Sequence, residues 1–240
     1  MQASPAASLQ YLQNAPEDGP VAQLVVLLHG YGRDASLMKK LADEVRARLP
    51  QALILMPHAP EDMEEPVGDD NVLRVPAQLR GDDPQDFSPG ARRKWFSIRG
   101  ASLDELTHRI LNAAALVNDF ITRQMHEHGL RDKDVALMGF SQGGVVALYA
   151  AYSRARPIAC VVGHSTLFMP GPALTSVMPT LYLYGLADEE FPPRRYEEAA
   201  GVLSAQVPQA TVRAVPGLRH TTNAESRAIV ADYIFEMLCG

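Results

Sequence analysis

The sequence predicts an α/β fold of three layers, a mostly parallel central sheet with helices on both faces. Two observations predict it. Short runs of consecutive Val, Leu and Ile recur along the chain, and longer stretches with apolar residues at three- and four-residue spacing separate them. A strand that is apolar at every position is buried on both faces, as happens where helices cover a parallel sheet from above and below.

The elements follow in order. AQLVVLLHG (22–30) is a strand ended by Gly30 and Gly32. DASLMKKLADEVRARL (34–49) carries Leu37, Met38, Leu41, Val45 and Leu49 at helical spacing, with Asp34 placed to cap it. ALILMPHAP (52–60) is a second buried strand, stopped by prolines. After an irregular region over roughly 59–96 comes a helix from about Ser102 to His128, with an apolar stripe of Leu103, Leu106, Ile110, Ala113, Val117, Phe120 and Ile121. The alternation resumes with the strand DVALMGF (134–140), the helix GGVVALYAAYSRA and the strand IACVVGH (158–164). TLYLYG (180–185), a helix near 193–206, ATVRAV (210–215) and a closing helix over about 222–238 complete it.

Bulk properties narrow the function. A chain of 240 residues that is 47% hydrophobic can bury a large core, and a single domain over 1–240 is expected. The net charge of −6 and the isolation of the basic stretches ARRKW and PPRRY exclude a nucleic-acid surface, which needs clustered Lys and Arg. The 2 cysteines cannot form a disulfide framework; Cys160, inside IACVVG, reads as a small core residue, and Cys239 lies next to the C-terminus. The N-terminus has no basic segment leading into an apolar one, so no secretory signal is expected. No apolar run approaches the ~18–20 residues of a membrane helix. A soluble, cytoplasmic protein without a transmembrane segment is the expectation.

The irregular insertion breaks the rhythm. Between 61 and 93 it holds nine acidic residues against four arginines. A loop of that length reads as a solvated insertion or as a flap over an active site. The acids lack calcium-loop spacing, so no metal site is expected there.

Chemistry enters at LMGFSQGGVVALYAAY (137–152), where an apolar strand breaks into Gly-Phe-Ser-Gln-Gly-Gly and resumes as a helix of small residues. Ligands of parallel α/β sheets sit beyond the carboxyl ends of the strands, and Ser141 stands at such an end. Gly139-Phe140-Ser141-Gln142-Gly143 fits the Gly-x-Ser-x-Gly elbow, a tight strained turn that projects a nucleophilic hydroxyl from the sheet. Roughly 0.06 chance matches are expected in a chain of this composition, so the turn reads as chemical rather than incidental.

A serine at its free pKa is a weak nucleophile and needs a base, itself oriented by an acid. In elbow enzymes the chain order is Ser, acid, His. His220, in VPGLRHTTN, is the one histidine after residue 164. In TLYLYGLADEEF, Asp188 follows the strand by three residues, with Glu189 and Glu190 as substitutes. His164, in GHST at another strand end, is the rival base, expected to line the site rather than act. His108, His126 and His128 read as exposed helix residues and His58 as structural. A tetrahedral intermediate also needs donors for its oxyanion. The N–H of Gln142 and, from the loop LHGYGRD, the N–H of Tyr31 are the candidates.

Together LLHGYGRDA, RKWFSI (94–98), GFSQGGVVAL, YGLADEEFP and PGLRH, in that order, resemble the α/β-hydrolase superfamily, and within it the carboxylesterase/phospholipase group that includes the acyl-protein thioesterases. The resemblance implies an α/β-hydrolase fold, the triad Ser141, Asp188 and His220, and oxyanion donors at Tyr31 and Gln142. Members often carry Leu where Tyr31 stands, and Trp-Phe-Asp where this chain has Trp95-Phe96-Ser97. A homodimer is compatible with it.

The expected activity is hydrolysis of small-molecule or lipid carboxylic esters with short-to-medium acyl groups through an acyl-enzyme, without cofactor or metal. A lysophospholipase or acyl-protein thioesterase is the alternative, and a non-catalytic binding module on the same scaffold is the alternative of another class. A peptidase or haloperoxidase would share the triad. Trp95, Phe96 and Phe191 are candidate acyl-pocket residues, with plain core packing as the competing role.

Overall fold

The structure, a computed structural model, describes residues 9–63, 92–169 and 174–240. The strands are β1 (Tyr11–Asn14), β2 (Gln23–Leu28), β3 (Ala52–Pro57), β4 (Glu61–Asp62), β5 (Arg93–Lys94), β6 (Val135–Phe140), β7 (Cys160–His164), β8 (Thr180–Gly185) and β9 (Ala210–Val215). The helices are α1 (Lys39–Arg48), α2 (Leu103–His128), α3 (Gln142–Ser153), α4 (Pro193–Gln206) and α5 (Ala224–Cys239).

Seven strands form one sheet in the order β1-β3-β2-β6-β7-β8-β9, parallel throughout except for β1, which runs antiparallel on β3. Alternate residues of each inner strand serve opposite cores. Leu24, Val26, Leu28, Leu137, Val161 and Tyr182 pack with α2, α3 and α4, whereas Val25, Leu27, Met138, Val162 and Leu183 pack with α1 and α5. That two-sided burial is why these strands read as unbroken apolar runs. No helix among the described residues is long and apolar enough to cross a membrane.

Local signals explain the boundaries. Asp34 caps a 3-10 turn (Ala35–Met38) by accepting from Ser36 N at 2.8 Å, so the predicted first helix begins as that turn and continues as α1. Ser102 and Glu105 form a reciprocal capping box at the start of α2, and Gly129, at φ 66°, ends it. The α2 stripe is buried from Ile110 to Ile121 as predicted, but Leu103 is 68% exposed. It occupies the first helical position, where spacing continues although the core no longer covers it. The insertion expected over 59–96 contributes the β4–β5 pair at its two ends; its acidic stretch 64–91, and with it the flap reading, lies outside the described residues.

The sheet places the site. From β2 the chain moves outward to β3, then returns past β2 to β6 on the other side. The carboxyl ends of β2 and β6 therefore flank the point where the strand order reverses, where such sheets open a crevice.

Candidate active site

Ser141 occupies the junction of β6 and α3 with φ 51° and ψ −120°, a positive-φ conformation that L-residues rarely adopt. Such a residue costs of order 1–3 kcal/mol and persists only when its surroundings enforce it. Here they do. Its N–H donates to His164 O at 2.9 Å, and its carbonyl accepts from Gly144 N at 2.9 Å. A Cβ on Gly139 would lie 2.1 Å from Gly143 O, and one on Gly143 would lie 2.4 Å from His29 O. The motif's glycines thus let β2, β6 and α3 approach at backbone contact.

The candidate base and acid arrive on the loops after β9 and β8. His220 Nε2 is 3.0 Å from Ser141 Oγ, and its Nδ1 is 2.8 Å from Asp188 Oδ2. A carboxylate only accepts, so Nδ1 carries the proton and Nε2 is left to accept from the serine hydroxyl. The loops are joined by Ala187 N donating to Leu218 O at 3.0 Å and Leu186 N to Val215 O at 3.0 Å. Gly185 permits the crossing: a Cβ there would stand 2.0 Å from Leu218 O.

Asp188 is fully hydrogen-bonded. Oδ1 accepts from the N–H groups of Glu190 (2.9 Å) and Phe191 (3.0 Å). Oδ2 accepts from His220 and from the Tyr196 hydroxyl at 2.7 Å. Burial alone would raise this carboxyl, but the bonds and charge of His220, with those from Tyr196 and Phe191, outweigh it and hold the group below its usual value.

The loop after β2 lies directly against the elbow. A Cβ on Gly30 would be 3.3 Å from Ser141 Cβ and 3.0 Å from the Phe140 ring. His29 braces this loop from within: Nδ1–H donates to Gly30 O at 2.8 Å, and Nε2 accepts from Ala59 N at 3.0 Å. Burial pulls its pKa down to about 4, so the ring is neutral and both bonds persist. Next along, Gly32 N donates to Arg93 O at 2.8 Å. Tyr31, between these anchors, makes no backbone N–H bond among the described residues. Gln142 opens α3, where N–H groups lack intrahelical partners.

The Gln142 side chain has a separate task. Its Oε1 accepts from Trp95 N at 2.8 Å and its Nε2 donates to Phe96 O at 2.8 Å. The Trp95 indole in turn donates to His29 O at 2.8 Å. Trp95 and Phe96 are buried, at 2% and 5% exposure, so they stand in the wall of the core rather than open to solvent. Phe191 is half-buried and meets the His220 ring edge-on, with centroids 5.7 Å apart.

The rival base His164 is fully buried with Nδ1 3.1 Å from Ser165 Oγ, and burial depresses its pKa to about 3. Its contact with Ser141 is through its carbonyl, not its ring. Among the described residues no cluster of three or more His, Cys, Asp or Glu is arranged to hold a metal ion. Three contributors escape the sequence reading: the His29 ring, the Gln142 side-chain clamp and Tyr196. Tyr196 sits in an amphipathic helix where an aromatic reads as core, and nothing in its spacing links it to Asp188.

Known proteins point the same way as the geometry. A family model described as Phospholipase/Carboxylesterase matches residues 80–238. The esterase YpfH of Escherichia coli K12 is 21% identical over 218 residues, covering 90% of this chain and 84% of that protein. Acyl-protein thioesterase 1 of Cryptococcus neoformans is 26% identical over 166 residues, covering 66% of this chain and 60% of that protein, so the match spans less than two thirds of its length. The crystal structure of esterase PE8 superimposes with a TM-score of 0.75 at 22% identity, covering 97% of this chain and 100% of that one, which shows the shared α/β-hydrolase fold. With the family model matching more than half of its length, the chain belongs to the phospholipase/carboxylesterase family.

Proposed function

We propose that this chain is a serine hydrolase that cleaves carboxylic esters of short-to-medium acyl chains through an acyl-enzyme. The observation that carries the reading is the unbroken hydrogen-bonded line from Asp188 through His220 to the hydroxyl of Ser141. In the first step His220 Nε2 takes the Ser141 proton as Oγ bonds to the ester carbonyl carbon. The carbonyl oxygen becomes an oxyanion, held by the N–H groups of Tyr31 and Gln142. Asp188 stabilises the imidazolium without taking its proton. The carbonyl re-forms, the bond to the alcohol oxygen breaks, and His220 returns the proton to that leaving oxygen. Water then repeats the sequence: it gives a proton to His220, attacks the acyl carbon, and Ser141 leaves with the proton restored.

Each oxyanion donor is worth about 3–4 kcal/mol of transition-state stabilisation. Phe191, beside the base, would meet the substrate first, with Trp95 and Phe96 as the wall behind it. A thioester substrate is the second reading, favoured by the similarity to the Cryptococcus thioesterase.

The test is labelling with a fluorophosphonate, read by mass spectrometry, together with hydrolysis of p-nitrophenyl esters and acyl thioesters of graded chain length. Modification at Ser141, and its loss together with activity in Ser141→Ala, is expected. Near-wild-type hydrolysis by Ser141→Ala would refute the assignment. A wild-type protein that is neither labelled nor active would instead be a binding module.

A further inference from the structure

We propose that Tyr196 is a positioning residue of the triad, fixing the Asp188 carboxylate so that its charge is directed at His220. The inference rests on the catalytic reading above. Tyr196 lies in the first turn of α4, entirely buried, and its ring stacks on Tyr184 with centroids 5.1 Å apart at 18° while meeting Phe191 edge-on at 6.1 Å. That aromatic packing holds the ring in one orientation. The hydroxyl donates to Asp188 Oδ2 at 2.7 Å and lies 3.4 Å from His220 Nδ1.

The choice of oxygen matters. A tyrosine that needed only an acceptor for a buried hydroxyl would be equally served by any carbonyl. This one shares the very oxygen that accepts the hydrogen bond from the imidazole. An ionised carboxylate offers about four lone-pair directions. Here the N–H groups of Glu190 and Phe191 take those of Oδ1, and His220 and Tyr196 take those of Oδ2. With all four occupied, the carboxylate can neither rotate nor turn toward water. Removing a backbone donor takes a proline, which also fixes the loop's φ, whereas Tyr196→Phe removes the hydroxyl alone and frees the oxygen that orients the base.

Burial and the adjacent carboxylate push the ionisation of the Tyr196 hydroxyl far above its ordinary value, so it remains a donor throughout the working pH range. Tyr196 touches no reacting atom. It acts through Asp188, and the consequence is kinetic rather than one of substrate affinity.

The experiment compares Tyr196→Phe, Asp188→Asn and the double variant with wild-type protein, using a short p-nitrophenyl ester and the rate of fluorophosphonate labelling. Tyr152→Phe is the control, since it also deletes a buried tyrosine hydroxyl, one bonded at 2.9 Å to Thr180 far from the triad's contacts. Tyr196→Phe should lower kcat by about ten- to a hundredfold with KM within about twofold, and slow labelling in parallel, the scale of losing one bond to a charged acceptor. Tyr152→Phe should keep wild-type kinetics. In the Asp188→Asn background the hydroxyl's removal should cost less than about twofold further, because the carboxylate charge it positions is already gone. Wild-type kcat in Tyr196→Phe, a loss carried by KM, or an undiminished loss in the Asp188→Asn background would each overturn the proposal. A Ser141→Ala protein that stays active would instead overturn the catalytic reading itself.

Discussion

Gly185→Ala tests whether the proposed base depends on a single close crossing of backbones. The residue is not in contact with Ser141, and its φ lies outside the left-handed region, so alanine meets no conformational objection. The objection is steric. The new Cβ would stand 2.0 Å from Leu218 O, whereas real Cβ atoms essentially never approach closer than 3.0 Å. The carbonyl must therefore retreat by about 1 Å. Leu218 precedes His220 by two residues, and the same carbonyl holds Ala187 N, one residue before Asp188. The shift falls on the link between acid and base. A misplacement of about 1 Å in a catalytic geometry costs on the order of 10²-fold in rate, and overpacking of this kind costs about 1–3 kcal/mol of stability. Gly201→Ala is the matched control: a Cβ there meets nothing within 4 Å inside α4, and the change should stabilise by about 0.4–1 kcal/mol. The assay is kcat on a p-nitrophenyl ester alongside urea unfolding. Gly185→Ala with kcat within about threefold of wild type would refute the argument that this crossing sets the base.

Two further perturbations follow from contacts around the elbow. Gln142→Leu strands the buried Trp95 N–H and Phe96 carbonyl, at about 1–3 kcal/mol each, so the melting temperature should fall by about 5–15 °C while the Ser141 labelling site survives, since the backbone N–H is untouched. An unchanged melting temperature would show that the clamp carries no stability. Acidification should weaken the fold before any carboxylate titrates. Burial lowers His29 to about 4 and His164 to about 3 from an ordinary 6.5, so the unfolded chain takes up protons that the folded one refuses. Stability is therefore complete above about 6.5 and is lost as pH falls, by about 2 kcal/mol from each histidine between pH 6.5 and 5. Asp188, held below its usual value, adds its own loss at still lower pH. A denaturation midpoint that stays flat from pH 7 to 5 would contradict this.

Much of the scaffold is legible because burial on both faces writes itself into composition. β8, buried at every position, coincides with the predicted TLYLYG, and α4 with the helix predicted near 193–206; β9 coincides with ATVRAV although four of its residues are exposed, on its β-branched content. The elbow is legible because backbone contact at Gly139 and Gly143 tolerates no side chain. β1 is not: YLQN is short, half polar and at the sheet's edge, where one-sided exposure leaves no apolar run to detect. The pairing of β4 with β5 joins segments 30 residues apart, and two-residue strands carry no period at all. The bonds of His29, Gln142 and Tyr196 are likewise invisible in one dimension. Each is a polar group satisfied by a partner distant in the chain, and residue type reports the need for a partner but not its address.

The placement of the serine and the histidine on different kinds of strand has a further consequence. Ser141 ends β6, with neighbours on both sides, whereas the loop bearing His220 departs from β9, the sheet's border, where four consecutive residues face solvent. Borders fray at lower free energy than interiors. On the proposed mechanism, chemical competence is therefore governed by an exposed margin of the sheet: a modest loosening there would leave the bulk of the architecture standing around a hydroxyl with no proton acceptor.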